Sequence, residues 1–346
     1  MLDDNTKLIE KFGAERVENG PDFYTFNKDL VYTHRGFDEF MEKLEAGEES
    51  AIVSGLNASG TIHIGHKPVF DTNLYFQREY DVPVFIPISD DESYVSKKVD
   101  TQEEALKNSY NLAHELLAYG FDPEKTYFII DQVYTNIYNH AIRLSRKINY
   151  SEIKATYGYK PEDNIGLHFY PAIQSAHVLF PELQHDIKNT LVPIGPDEDS
   201  HLRISRDIAS RLNLQKPKVA HVRFLPGLDG KKMSTSKGNS IFLNDTEEEI
   251  EKKVNEAVSG GRKTLEEHRE KGGMPEKDMP CQYLKELFYD EQQTQELFEK
   301  YRNGDLLTGE VKNKLKTELK SFVNDFQKNK ELITKEHLDK AILTNP

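Results

Sequence analysis

Between residues 37 and 224, short apolar runs alternate with stretches whose apolar residues follow helical spacing. The apolar runs are typical of buried strands, and they cover residues 51–53, 82–88, 127–130, 190–194 and 220–224. The helical stretches cover residues 37–44, 63–80, 102–119 and 199–212. Because a strand can return parallel to its predecessor only through a crossover, this alternation predicts an α/β domain with a mainly parallel sheet covered by helices.

The pattern of apolar and charged residues changes near residue 246. Beyond that point the strand patterns stop, and charged stretches with Leu and Phe at helical spacing follow. Residues 259–279 contain four Gly and one Pro, which indicates a connection. We therefore predict an N-terminal extension over residues 1–48, an α/β domain over 49–245 and an all-helical domain over 246–346.

Composition limits the class of protein. The 346-residue chain has a formal net charge of −14, which argues against binding of nucleic acid through overall charge. Its single cysteine, Cys281, excludes an internal disulfide framework and a cysteine-rich zinc site. No apolar run suits a transmembrane helix, and the first residues lack the apolar segment of a signal peptide. We expect a cytoplasmic protein with no membrane contact.

The segment from Ser59 to His66 (SGTIHIGH) joins the first predicted strand to a helix. In an open parallel sheet, ligands bind at the carboxyl ends of the strands, and a helix N-terminus there offers N–H groups to phosphate. Gly65 leaves space for a flat base beside the backbone, and His63 and His66 share one helical face. The pattern favours a phosphate site, although a capped helix with two surface histidines has the same spacing.

A second segment, from Gly227 to Asn239 (GLDGKKMSTSKGN), is rich in Gly, Ser and Thr and carries three lysines. Flexible glycines and several lysines suit a mobile clamp on a triphosphate. A solvated basic loop is the other interpretation of this segment taken alone.

Together the two segments resemble the HIGH and KMSKS signatures of class I aminoacyl-tRNA synthetases, in the same order along an α/β background. Over roughly residues 30–335, the chain resembles the tryptophanyl-tRNA synthetases of archaeal and eukaryotic type. The stretches that carry this resemblance are Ser89 to Glu92, Gly120 to Asp122, Phe169 to Ala176, Arg203 to Asp207, Asn239 to Leu243, Ser259 to Arg262, Glu266 to Arg269 and Leu307 to Lys312.

Three positions depart from the pattern of that family. Thr235 stands at the fourth KMSKS position, with Lys237 shortly after it. Val53 and Pro87 occupy positions at which eukaryotic relatives usually place the Tyr and Gln that contact the indole. Gln174 and Glu92 match positions that line the amino-acid pocket of relatives.

The resemblance implies a Rossmann-like catalytic domain followed by a helical anticodon-binding domain. It implies that the enzyme activates tryptophan with ATP and Mg²⁺, transfers it to tRNA(Trp), and acts as a homodimer. The catalytic residues would be His63, His66, Lys232 and Lys237. The ATP-binding residues would be Ser59, Gly60, Gly65, Gly195, Asp197, Met233, Ser234 and Ser236, with Gly65 under the adenine and Gly195 and Asp197 near the ribose. Gln174 and Glu92 would bind the amino acid, and no residue is assigned to a protein-held metal.

Purely structural interpretations remain open for several of these residues. Asp197, with Glu198 and Asp199, would equally suit a solvated helix N-cap, and Gln174 a hydrogen bond at the core edge. In the helical domain, lysines and aromatic residues would suit tRNA phosphates and base stacking, or an ordinary solvated helix. These residues are Lys312, Lys314, Lys316, Lys320, Tyr301 and Phe322.

Three rival functions remain at this point. A tyrosyl-tRNA synthetase would need a Tyr–Asp pair around the substrate hydroxyl, and no such pair is evident. An adenylyltransferase with a HIGH-like motif would not need the KMSTS loop or the helical domain. A synthetase-like RNA-binding paralogue would not need His63, Gly65, His66 and Lys232 intact.

Overall fold

The computed structural model describes residues 3–233 and 238–345 of the chain. These residues form two compact units. The first unit consists of Met1–Gly60, Val69–Arg223 and Leu332–Pro346, and the second consists of Thr61–Pro68 and Phe224–Glu331.

A mixed sheet forms the centre of the first unit. Its eight strands are β1 (Glu15–Arg16), β2 (Val31–Arg35), β3 (Ser50–Val53), β4 (Leu56–Asn57), β5 (Val84–Ser89), β6 (Thr126–Ile130), β7 (Asn189–Ile194) and β8 (Lys218–Val222). The order is β1-β2-β8-β7-β3-β5-β4, and β6 also pairs with β5. The pairs β8-β7, β7-β3, β3-β5 and β5-β6 are parallel, whereas β1 and β2 add an antiparallel edge. Strand β3 lies between β5 and β7, so the chain changes direction across the sheet there.

Sixteen α-helices occur in the described part of the chain. They are α1 (Asp3–Glu10), α2 (Tyr24–Asn27), α3 (Phe37–Glu45), α4 (Lys67–Glu79), α5 (Asp90–Val95), α6 (Gln102–Tyr119), α7 (Ile137–Ser145), α8 (Tyr150–Tyr157), α9 (Ile165–His185), α10 (Asp199–Arg211), α11 (Glu247–Asn255), α12 (Leu265–Lys271), α13 (Met279–Tyr283), α14 (Glu291–Arg302), α15 (Thr308–Leu332) and α16 (Lys335–Ala341). Within these described ranges, no helix is long and apolar enough to cross a membrane.

Apolar side chains from one face of the sheet and from three helices form a hydrophobic core in the first unit. Val53, Phe85 and Val192 contribute from β3, β5 and β7, while α7, α9 and α10 cover them. Phe180 on α9 is fully buried in this core. Burying one such side chain stabilises the fold by about 1.5–3 kcal/mol.

The predicted α/β class is confirmed, and each of the five predicted strands lies within a few residues of an observed one. Three strands, β1, β2 and β4, were not predicted. Strands β1 and β2 lie inside the predicted extension of residues 1–48, and β4 lies in the loop expected after the first strand. Strand β2 has no simple alternation, because its Thr33 and His34 are buried along with its apolar residues. Helix α9 was also not predicted as an element, since Pro171 and Pro181 interrupt an almost continuous apolar run.

The two compact units also differ from the predicted domain bounds. Residues 332–346 belong to the first unit, and the short segment Thr61–Pro68 belongs to the second. Residues 259–279, predicted as a connection, contain α12 and are tied to the buried Asp278. Its carboxylate accepts hydrogen bonds from the backbone N–H of Gly260 at 2.9 Å and from the hydroxyl of Tyr301 at 2.7 Å. What each domain does remains a prediction.

Candidate active site

A cavity of about 330 Å³ lies in the first unit. It is lined at the carboxyl ends of β3, β5 and β7, by Val53, Pro87, Ser89, Val192 and Ile194. This position is expected, because the strand order of a parallel sheet leaves a crevice where the direction of winding reverses. Val53, Pro87, Val192 and Ile194 make part of its wall apolar, which suits a flat apolar ligand.

Gln174 lies in this cavity, on α9, and its amide is held in place. The hydroxyl of Tyr157 donates to Gln174 Oε1 at 2.6 Å, and the Tyr157 ring stacks on His201 at 4.1 Å between centroids. His201 Nδ1 lies 2.7 Å from Glu198 Oε2. Burial opposes ionisation of Glu198, but hydrogen bonds from His201 and Gln174 outweigh it, and the pKa of Glu198 is lowered.

Glu92 also lines the cavity, as does one further polar pair. Its two carboxylate oxygens lie 3.1 and 3.0 Å from the ammonium of Lys98. The hydroxyls of Ser89 and Tyr170 are 3.2 Å apart. The polar groups at this end of the cavity therefore compensate one another.

His177 lines the cavity from α9 and is almost fully buried. Its Nε2 lies 2.6 Å from Oδ1 of the fully buried Asp131, and burial lowers the pKa of His177 to about 4. Asp91 adjoins Asp131, and burial, with the charge of Asp131, raises the pKa of the Asp91 carboxyl well above its usual range. Burial also raises the pKa of the Asp131 carboxyl well above its usual range, although its hydrogen bond with Asp91 lowers it. The two carboxyls therefore share a proton on Asp91, while His177 is neutral at pH 7.

In the second unit, His63, Gly65 and His66 form a single turn ahead of α4. His63 Nδ1 accepts from the backbone N–H of Gly65 at 3.1 Å, and His66 Nδ1 accepts from the backbone N–H of His63 at 3.2 Å. Burial lowers the pKa of His63 to about 4 and that of His66 to about 3. Both rings are therefore neutral at pH 7. The N–H of Gly65 puts the hydrogen of His63 on Nε2, which makes that nitrogen a hydrogen-bond donor, whereas His66 Nδ1 also lies 3.2 Å from the carbonyl oxygen of His63.

This turn packs against the residues that surround the second motif. The backbone N–H of Ile64 donates to Ile241 at 2.8 Å, and that of Leu243 donates to Ile62 at 3.1 Å. A methyl group placed on Gly65 would lie only 2.6 Å from Met233 Sδ. The two motifs, far apart in sequence, therefore meet in one unit, and Gly65 allows their close approach.

The other predicted phosphate residues belong to the second motif. Lys232 lies over the ring of Phe224, with its ammonium 5.3 Å from the ring centroid. Ser234, Ser236 and Lys237 lie outside the described residues.

The remaining predicted ATP-binding residues lie in the first unit. Ser59 and Gly60 are exposed in the turn after β4, and Gly195 and the exposed Asp197 follow β7. The adjacent Asp199 is different, because its buried carboxylate binds Arg35 at 2.6 Å and His221 at 3.0 Å. The acidic run after β7 is thus not a uniformly solvated N-cap.

Several candidate tRNA-binding residues of the helical domain bind groups within their own unit instead of facing solvent alone. Lys312 donates to the carbonyl of Asn255 at 2.7 Å, at the end of α11. Lys320 pairs with Glu247 at 3.0 Å and Glu251 at 2.6 Å. Tyr301 is fully buried and donates to Asp278. Base stacking by Tyr301 is therefore wrong as a prediction, since its ring belongs to the core.

Sequence reasoning missed most of the polar lining of the cavity. Tyr157, His177, Glu198 and His201 had no assigned roles, although all four line it. A signal was present for His177, because Gln174, His177 and Val178 share one face of α9 at helical spacing. Its partner Asp131 gave no signal, since it lies 46 residues away in the sequence.

Comparison with known proteins places this geometry in a family. Residues 45–324 match the model of the family described as tRNA synthetases class I (W and Y). The chain is 39% identical to tryptophan--tRNA ligase 2 of Halobacterium salinarum, over 94% of this chain and 87% of the relative. It is 36% identical to tryptophan--tRNA ligase of Methanocaldococcus jannaschii, over 95% of this chain and 92% of the relative.

Solved structures agree with this result. The structure of tryptophanyl-tRNA synthetase from Aeropyrum pernix matches with a TM-score of 0.90 and 28% identity, and the match covers 99% of this chain and 97% of the other. The Plasmodium falciparum tryptophanyl-tRNA synthetase matches with a TM-score of 0.89 and 31% identity, over 97% and 96% of the two chains. The chain therefore belongs to the family of class I tRNA synthetases for tryptophan and tyrosine.

Proposed function

We propose that this chain is a tryptophan--tRNA ligase, which activates tryptophan with ATP and transfers it to tRNA(Trp). The observation that carries the proposal is the likeness, along nearly the whole chain, to relatives that are named for tryptophan rather than tyrosine. The cavity supports it, because its wall is partly apolar, as an indole ring requires.

Aminoacyl-tRNA synthetases use ATP as a substrate, and activation joins the amino-acid carboxylate to the α-phosphorus with release of pyrophosphate. This step depends on in-line positioning and on stabilisation of phosphate charge. We assign His63, through its Nε2 hydrogen, and His66 to phosphate oxygens. Lys232 would neutralise the β- and γ-phosphates, and Lys237 would do the same.

The remaining assignments concern the base, the ribose and the amino acid. Gly65 would lie beside the adenine, and Gly195 and Asp197 near the ribose. Gln174 would bind the amino-acid end of tryptophan, with Glu92 beside it. Other residues proposed to bind ATP are Ser59, Gly60, Met233, Ser234 and Ser236.

Mg²⁺ is proposed to accompany ATP. Mg²⁺ prefers oxygen ligands, whereas residues 61–66 and 231–233 offer histidine and lysine and contain no carboxylate. These residues therefore fit an ion carried on phosphate oxygens rather than one held by the protein. When bound, the ion would neutralise part of the phosphate charge.

We further propose a cytoplasmic homodimer whose helical region, residues 246–346, binds the anticodon. Lys314 and Lys316 are candidates for phosphate contacts in this region. Lys312 and Lys320 are weaker candidates because they bind groups within the same unit.

The experiment is amino-acid-dependent exchange of pyrophosphate into ATP, measured with tryptophan, tyrosine and the other amino acids. We expect exchange with tryptophan to exceed that with tyrosine by at least about 100-fold in kcat/KM, because a site built for a polar group rejects ligands that mismatch it. Charging of a tRNA(Trp) transcript completes the test. Exchange with tyrosine alone would favour the tyrosyl enzyme, and the absence of any exchange would favour an RNA-binding paralogue.

A further inference from the structure

We propose that His177 is the residue that recognises the indole N–H of tryptophan, by accepting its hydrogen bond at Nδ1, and that Asp131 positions the ring for this role. The inference rests on the proposed function and identifies the group that selects the substrate.

The need for such a group follows from the chemistry of the ligand. Indole has one polar atom, an N–H donor, and burying a donor without an acceptor costs about 1–3 kcal/mol. A site that supplies the acceptor also rejects analogues that lack the donor. Val53 and Pro87, which line the cavity, have apolar side chains and cannot supply it.

Apart from the Tyr159 hydroxyl, which forms no hydrogen bond within the described residues, the other polar groups of the cavity already have partners. Gln174 Oε1 accepts from Tyr157, both oxygens of Glu92 face Lys98, and Glu198 Oε2 faces His201. The hydroxyls of Ser89 and Tyr170 bond each other. His177 differs, because within the described residues its only hydrogen-bond partner is Asp131, at Nε2.

The surroundings of His177 fix which ring nitrogen is the acceptor. Asp131 is anchored at its own backbone N–H, which donates to Asp90 Oδ1 at 2.9 Å. Burial raises the pKa of both the Asp91 and the Asp131 carboxyl, but the hydrogen bond between them raises the pKa of Asp91 and lowers that of Asp131. The proton of the pair therefore lies on Asp91, and Asp131 Oδ1 accepts from Nε2–H of His177. The neutral ring then carries its lone pair on Nδ1. His177 lines the cavity, and none of the described groups forms a hydrogen bond with this nitrogen.

The placement of His177 along α9 suits the length of the ligand. Gln174, proposed to bind the amino-acid end, precedes His177 by three residues on the same helix. Side chains three apart share a face at about 5–6 Å between their Cβ atoms. One helical turn therefore carries a contact for each end of tryptophan.

Two ligands and three proteins test the inference. The ligands are tryptophan and β-(1-benzothiophen-3-yl)alanine, which has nearly the same shape but no N–H. In the wild-type protein we expect kcat/KM for exchange to favour tryptophan by at least about 100-fold. Comparable use of the two ligands by the wild-type protein, within threefold, would overturn the inference without any variant.

The variants separate the two ring nitrogens. His177→Gln places an amide N–H near the position of Nε2 and keeps the contact with Asp131, but it loses the acceptor. His177→Asn places its amide oxygen near the position of Nδ1. We expect the preference for tryptophan to fall below about tenfold in His177→Gln and to stay at least fivefold higher in His177→Asn. A preference that is unchanged in His177→Gln, or lost equally in both variants, would contradict the role.

Direct binding provides a readout that is independent of catalysis. The chain contains no tryptophan, so the emission of added tryptophan, excited where tyrosine hardly absorbs, reports its own binding without background from protein tryptophan. We expect weaker binding in His177→Gln than in His177→Asn, with unchanged circular dichroism. If the wild-type protein neither binds nor activates tryptophan, the proposed function fails, whereas activation of both ligands alike overturns only the role of His177.

Discussion

The cavity of the first unit and the histidine turn of the second unit use neutral histidines in opposite ways. In the cavity, His177 gives its Nε2 hydrogen to Asp131, which leaves an acceptor for the ligand. In the turn, His63 uses Nδ1 as the acceptor from the backbone N–H of Gly65, which leaves its Nε2 hydrogen as a donor, and His66 Nδ1 contacts the backbone of His63. The same residue type therefore suits an indole N–H in one region and phosphate oxygens in the other.

The difference shows how the surroundings of a histidine select its function. Burial keeps all three rings neutral at pH 7, so the partner on one ring nitrogen determines the chemistry of the other. Changes in the turn should then affect the activation step and spare tryptophan binding. Changes in the cavity should affect tryptophan binding.

The largest effect is expected from Gly65→Ala. Its methyl group would lie 2.6 Å from Met233 Sδ and 2.9 Å from the His63 ring, so the phosphate-facing groups must move. Because misplacement by about 1 Å can cost about 100-fold, we expect exchange to slow by about 100-fold. The matched control is Gly309→Ala, since nothing lies within 4 Å of that added methyl. Weakened tryptophan binding in Gly65→Ala would contradict the expectation that changes in the turn affect activation only.

The next largest effect is expected from Lys232→Ala. Removal of a charge that acts on the phosphates in the transition state should slow adenylate formation by more than about tenfold. Tryptophan binding, followed by ligand fluorescence, should change little. Lys231→Ala, one residue away, serves as the control and should retain most of the rate. Unchanged exchange kinetics in Lys232→Ala would refute its assignment.

A smaller effect is expected from Tyr157→Phe in the cavity. The change removes the 2.6 Å hydrogen bond to Gln174, which is worth about 1 kcal/mol. The KM for tryptophan should rise about fivefold, with little change in the rate constant of activation measured at saturation. Tyr150→Phe on the same helix is the control, since that side chain is 44% exposed. A fall in the rate constant of activation with an unchanged KM would contradict the assignment of Tyr157 to tryptophan binding.

The smallest effect is expected from pH. Burial lowers the pKa values of His63 and His66 to about 4 and about 3, so neither ring gains a proton between pH 8 and pH 6. The single-turnover rate of activation should change less than about twofold over that range. A ring with the ordinary pKa of about 6.5 would change its neutral fraction about fourfold. In the unfolded chain these rings protonate below about 6.5, so urea denaturation midpoints should fall as pH decreases towards 4.

Much of the first unit could be predicted because its strands and helices have clear local patterns. Residues 51–53, 127–130 and 190–194 are short apolar runs, and α6 was predicted with its observed ends. A capping Thr101 and a terminal Gly120 define those ends locally. Strand β2 and helix α9 lack such signals, because their character depends on burial against other elements.

The candidate functional residues likewise include some that the sequence identified and one that it misinterpreted. Gln174 and Glu92 were selected by resemblance, and the structure places both in one cavity. The interpretation of Tyr301 as a stacking residue failed, because only the packing of its unit buries it and joins it to Asp278.

By itself, the sequence determined the alternation of strands and helices and the two motifs with their histidines and lysines. These features depend on residues close together in the chain. Only the tertiary structure decided which polar groups compensate one another and which ring nitrogen of each histidine remains for a ligand. The reason is that Asp131 and His177, on different elements, become partners only through the order of the strands and the packing of α9.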